Sequence, residues 1–147
     1  MTRLRRMEPI QRLAEEREQE AARNFTAARV RLAEQEGRKQ QLHDYRGEYS
    51  ARFQHSGAGG MTPGQLVEYR AFLARLDLGL RHQDEVLAKA SAEVAAAQQA
   101  WMEAIRYRDR LEVMRSRMQR EEQHLAERRE QRESDERSGR VPRPRLD

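Results

Sequence analysis

Between Thr62 and Trp101, Leu66, Leu73, Leu80, Leu87, Val94 and Trp101 recur at every seventh residue. A second stripe, Tyr69, Leu76, Gln83, Ala90, Ala97 and Ala104, trails each of these by three. Spacings that alternate between three and four place such residues along one narrow seam of a helix, and that seam needs a partner helix. No proline interrupts Gln65 to Asp135, and Gly79 is the only glycine there. The pattern predicts one long helix over about residues 63–135, committed to coiled-coil packing.

A first helical pattern runs from about Pro9 to Phe53, giving a helix of about residues 4–54. Pro9 suits an early turn, where its missing N–H is not needed. Phe25 and Leu32 share one seam position, while Ala14, Ala21, Ala28, Leu42 and Tyr49 share its companion. Glu18, Gln35, Lys39 and Arg46 interrupt the stripe and make this arm the weaker one. Between the arms, at about residues 55–62, Gly57, Gly59 and Gly60 fall within four positions and break the helix through backbone entropy. Thr62, Pro63 and Gln65 then form a helix-start signal, with Thr62 as cap and Gln65 completing a capping box.

A glycine-rich break of this length joins antiparallel neighbours. The expected fold is therefore all-α: an antiparallel two-helix coiled-coil hairpin with unequal arms, in a single domain. Residues whose numbers sum to about 118 are expected to face one another, setting Ala28 near Ala90 and Ala14 and Ala21 against Ala104 and Ala97. At 1.5 Å per residue the arms would span roughly 70 Å and roughly 105 Å. Beyond about Leu111 the second arm is expected to find no partner in the chain, although Met114, Met118 and Leu125 continue a stripe. Residues 138–147, with Gly139, Pro142 and Pro144, read as a disordered tail.

Composition supports a seam and argues against a three-dimensional core. Of 147 residues, 37% are charged and only 37% apolar, against about 45–50% in ordinary domains. The net charge of +4 raises the question of nucleic acid, but the charges are interleaved: residues 115–133 hold six arginines and five glutamates. Mixed signs at helical spacing describe a solvated face rather than a basic patch, so no nucleic-acid partner is expected. Cysteine is absent, which is compatible with a reducing cytoplasm. No apolar run approaches the ~20 residues of a membrane span, and no signal-peptide core follows the basic start. A soluble or at most peripheral protein is expected.

Chemistry is sparse. His43, His55, His82 and His124 are scattered, with no helical zinc motif. The glycine cluster lacks the Lys-Ser/Thr of a phosphate loop. A two-helix scaffold offers no concave pocket to tune carboxylates, so neither catalysis, cofactor nor metal is expected. The aromatic residues say more. Tyr45, Tyr49, Phe53, Tyr69 and Phe72 crowd the segments flanking the glycines. With the hairpin closed, Leu42, Tyr45, Tyr49, Phe72 and Leu76 approach one another. These rings either cap the end of the seam or form an exposed patch that docks a partner.

The run Asp44-Tyr45-Arg46-Gly47-Glu48-Tyr49, with Tyr69-Arg70-Ala71-Phe72-Leu73-Ala74-Arg75-Leu76, resembles the FliJ family of the bacterial flagellar type III export apparatus. The resemblance extends over nearly the whole chain. It implies a cytoplasmic antiparallel coiled coil, similar to the stalk subunit of rotary ATPases and peripheral at the cytoplasmic face of the membrane. It also implies insertion of the open end into the ring of the export ATPase FliI, contact with the export gate FlhA, and escort of export chaperones. Carried over by position, the gate-binding patch is Leu42, Tyr45, Tyr49, Phe72 and Leu76. The ATPase-facing open end would include Leu13, Met114, Met118 and Leu125. Where the family pattern has Gln, Ala and His, this chain has Arg38, Gly79 and Gln83. Alternative readings are an injectisome stalk homologue, a nucleic-acid-binding coiled coil, or a structural coiled coil that associates through the same seam between chains.

Overall fold

The computed structural model describes residues 2–57 and 60–140. It contains two helices, α1 (Arg3–Gly57) and α2 (Pro63–Arg140), and no strand among the described residues. The two helices pack against each other antiparallel, as a helical hairpin. Their contacts fall into two compact units: Met1–Glu18 with Glu103–Asp147, and Gln19–Met102.

Both helix starts are built by capping. Thr62 Oγ1 accepts from the Gln65 backbone N–H at 3.2 Å, and Gln65 Oε1 accepts from the Thr62 N–H at 3.1 Å. This reciprocal pair satisfies two donors that have no intrahelical acceptor. Gly60, just before it, adopts a φ of 86°, which a side chain would resist. At the other start, Thr2 Oγ1 accepts from the Arg5 N–H at 3.4 Å. Helix α1 thus begins ahead of Pro9, which lies inside it and removes one backbone hydrogen bond. Helix α2 continues through Ser138 and Gly139 to Arg140, where a disordered tail was expected. Residues 141–147 of that tail, and residues 58 and 59 of the break, lie outside the described residues.

In unit Gln19–Met102, the seam of α2 follows the two heptad stripes. Leu80, Gln83 and Ala90 are buried, and Tyr69, Leu73, Leu76, Leu87, Val94, Ala97 and Trp101 are half-buried. From α1 they meet buried Ala28 and half-buried Phe25, Leu32, Leu42 and Tyr49. Phe25 stacks on Trp101 with ring centroids 5.5 Å apart, and Phe53 stacks on Tyr69 at 3.5 Å. Both pairs place the partner one or two turns further along α2 than the expected register. Such ring pairs contribute about 0.5–1.5 kcal/mol each beyond the area they bury.

The polar residues that interrupt the α1 stripe are not defects. Gln83, only 8% exposed, donates from Nε2 to the Gln35 carbonyl at 3.0 Å and to Gln35 Oε1 at 2.8 Å. Lys39 pairs with Asp84 at 2.6 Å, and Arg46 Nε donates to Asp77 at 2.8 Å. Among the described residues, no buried side-chain polar atom lacks a partner. These pairs exist in one alignment of the helices, so they select the register that apolar side chains would leave degenerate.

In the other unit, Met7, Ala14 and Leu111 form a small buried cluster, with Met118 packed against it. Ala14 therefore sits with Leu111, two turns beyond the expected Ala104. Glu18 pairs with Arg108 at 3.5 Å, and Gln11 Nε2 donates to Glu112 at 3.2 Å. Leu111 is not where pairing stops. The shifted register packs Met118 against the Met7–Leu111 cluster, and full exposure of α2 begins only after Glu122.

Replacing both Gln35 and Gln83 with Leu should raise the melting temperature by several degrees, since apolar packing replaces a desolvated polar pair. It should also release the register, so that light scattering detects dimers beside monomers. A double variant that stays strictly monomeric would show that this pair does not select the alignment.

Candidate protein-docking site

The aromatic cluster of unit Gln19–Met102 is a ladder of rings spanning both helices. Tyr49 lies at its centre, 4.3 Å from the Phe72 ring and 5.5 Å from that of Tyr69. Phe53 closes one side by stacking on Tyr69, and Tyr45 meets Phe72 edge-on at 5.9 Å on the other. The ladder grades from packed to open. Tyr49, Phe53, Tyr69 and Phe72 are half-buried, whereas Tyr45 is 47% exposed. Tyr49 and Tyr69 occupy seam positions. Tyr45 and Phe72 each fall one residue ahead of one, which turns them toward the flank of the seam.

Of the five residues expected in the patch, ring contacts join Tyr45, Tyr49 and Phe72, Leu42 shares a groove with Tyr45, and Leu76 is half-buried four residues beyond Phe72 on α2. Leu42 and Tyr45 line a shallow groove of about 410 Å³, shared with Arg38, Gln41 and Gln83. A second groove, about 380 Å³, runs toward the turn along Tyr49, Phe53, Met61 and Tyr69, with Arg52 and Glu68 at its rim. Sequence reasoning had not assigned Arg38, Gln41 or Met61 to a surface. Phe53, at the same heptad position as Phe25 and Leu32, was legible as a seam residue. The guanidinium of Arg75 stands over the Phe72 ring, 6.0 Å from its centroid, a cation–π contact that leaves the charge facing solvent.

In the other unit, Leu13 and Met114 are each 47% exposed and Leu125 is 52% exposed. Met118 is different: it is half-buried against the Met7–Leu111 cluster. Ile10, Tyr107 and Val113 are also exposed there and had not been singled out. Ile10, Tyr107 and Met114 each precede a seam position by one residue, the placement that also exposes Tyr45, so a signal existed. A groove between Leu4, Glu8, Gln11, Glu15, Glu112, Arg115 and Gln119 is mainly polar. There Arg115 grips Glu112 with two bonds, 2.8 and 3.3 Å, and holds that carboxyl below its usual pKa against a smaller desolvation effect. The described residues hold no cluster of three metal-ligating side chains, and no helix of theirs is long and apolar enough to cross a membrane.

The model of the family described as flagellar FliJ protein matches residues 3–145. The chain belongs to the FliJ family. It is accordingly a protein associated with flagellar protein export. No curated protein and no solved structure matches it. The family match covers both helices of this FliJ-family chain, so the aromatic ladder and the exposed residues around Met114 both lie within it.

Two outcomes follow from these contacts. Tyr49→Ala should lower stability by about 2–3 kcal/mol, because it removes a ring packed on two others. Tyr45→Ala should cost well under half of that, and denaturant unfolding of the two variants measures the difference. Separately, Glu112 should titrate below an ordinary glutamate in a carboxyl NMR titration, and Arg115→Ala should return it to the ordinary range. A group whose folded pKa is depressed contributes stability above its unfolded pKa and loses it as the pH falls through the folded value.

Proposed function

We propose that this FliJ-family protein is a non-enzymatic, stalk-like adaptor of the flagellar export apparatus. It joins the export ATPase FliI to the export gate FlhA, escorts export chaperones, and so supports flagellum assembly and motility. It works at the cytoplasmic face of the membrane. The single observation that carries the reading is the aromatic ladder with Tyr45 at its open side. Exposed rings held by rigid helices form a prepaid contact surface, because little side-chain freedom is left to lose on binding.

The residues assigned to the gate are Leu42, Tyr45, Tyr49, Phe72 and Leu76. Tyr49 acts mainly as the support on which Phe72 rests; Tyr45 and Phe72 supply the contact. On the ATPase side the assignment is Leu13, Met114 and Leu125, with Met118 holding the helices together beneath them. An amphipathic surface of this kind suits docking on a larger partner more than chemistry, since its carboxylates are solvated.

A pull-down with the gate's cytoplasmic domain tests the first half. Tyr45→Ala combined with Phe72→Ala should abolish gate binding while leaving helicity intact, and the same variant should still bind the ATPase. Leu13→Ala with Met114→Ala should give the converse. Loss of both partners in either variant would show that the two surfaces are not separate docking sites.

A further inference from the structure

We propose that the groove beside Tyr45 is built for an acidic amphipathic helix, with Arg38 and Arg75 reading carboxylates on the docking segment. The proposal rests on the gate-docking reading of this patch and names the chemistry its occupant must carry. Leu42 and Tyr45 form an apolar wall, and the groove of about 410 Å³ has room for a large apolar side chain. Its only charged lining residue is Arg38, and no carboxylate lines it. The other polar lining residues are uncharged: Gln41, and Gln83, which donates both of its hydrogen bonds to Gln35.

Three nearby aspartates are engaged elsewhere, while Glu34 and Glu36 are exposed on α1 and do not line the groove. Asp77 is held by Arg46 at 2.8 Å, Asp84 by Lys39 at 2.6 Å, and Asp44 accepts from Gln40 at 2.9 Å. Arg38 and Arg75 form no ion pair among the described residues, and both are exposed. Arg75 instead lies over the Phe72 ring. Glu48 is exposed one turn along α1 but does not line the groove. Two guanidinium groups without an ion pair therefore stand beside an apolar surface that no carboxylate lines. Guanidinium groups favour planar, bidentate carboxylate partners, and a helix laid in a groove presents apolar and charged positions at spacings of three and four. Arg38 stands where the resemblance has Gln, so this preference belongs to this chain.

The test uses the full chain, isotope-labelled, and two synthetic helical peptides of about 18 residues, or five turns. Both carry a Leu stripe; one is flanked by Glu and the other by Lys. The Glu peptide is expected to perturb Leu42 and Tyr45 and to bind roughly tenfold more tightly at low salt, as two exposed charge pairs would give together. R38E with unchanged melting should remove or reverse that preference. Equal binding of the two peptides, binding of neither, or a preference that survives both R38E and R75E overturns the proposal. So does binding to phosphatidylglycerol vesicles that depends on Arg38 while the peptides do not discriminate. The gate's cytoplasmic domain provides a separate arm. Discrimination between peptides without gate binding supports the groove chemistry and removes the gate as its partner. Gate binding indifferent to R38E and R75E leaves the gate reading in place and ends this inference.

Discussion

The alignment of the two helices depends on the amide of Gln83 reaching across to Gln35. A two-stranded seam made of Ala and Leu has many alignments of nearly equal energy, because each heptad offers the same apolar steps. Burying a side-chain amide changes that, since any slip strands its donors and acceptors away from water. Here the amide is satisfied twice, by a backbone carbonyl and by a side-chain oxygen. Lys39 with Asp84 and Arg46 with Asp77 repeat the same choice at successive positions on either side of the buried Leu80. Exposed ion pairs contribute little stability individually, so their value lies in excluding other pairings.

The same constraint determines what the aromatic residues can do. Once Gln35 and Gln83 fix the alignment, Phe53 must meet Tyr69, and Tyr49 must meet Phe72. A two-helix seam is too narrow to cover five rings. The ones on seam positions are enclosed first, and Tyr45, off the seam, stays open. Exposure of that ring is thus a consequence of register rather than of local flexibility. The Arg75 guanidinium over Phe72 keeps a charge next to the exposed apolar surface, which opposes indiscriminate association.

How much of this was legible depends on the range of the interaction. The heptad stripes of α2 and the Thr62–Gln65 box are local patterns, and both appear in the structure as read apart from Leu66, which is exposed. Glu18, Gln35, Lys39 and Arg46 looked like weaknesses because a single strand of sequence does not reveal which residue will face them. Their partners lie across the hairpin, at positions set by the register, and the register itself was misjudged by one or two turns. Helix α1 begins at Arg3, beside the expected residue 4, with Thr2 as its cap, and the hydrogen bond lost at Pro9 inside it is tolerated. The register shift moved the end of pairing: it sets Ala14 with Leu111 and brings Met118 under α1, so the partnerless part of α2 begins later than Leu111. The patch residues were legible from aromatic clustering and Arg38 as a departure from the family pattern, whereas the groove that Arg38 lines was not, because it forms only in the actual register.

A hairpin that spends seam positions on polar pairs accepts lower stability than an all-Leu seam would give. The trade is sensible for a chain that must leave rings exposed. Its seam is the surface that a second copy would compete for, and a slipped or swapped pairing would leave Gln83, Lys39 and Arg46 without their partners. The polar pairs therefore discourage the chain from using its own sticky positions on itself. What remains available is the off-seam flank, where Tyr45 and Phe72 stand between unpaired guanidinium groups. Stability surrendered in the seam and specificity gained at the flank have one origin, the placement of a few long polar side chains where Leu would have packed better.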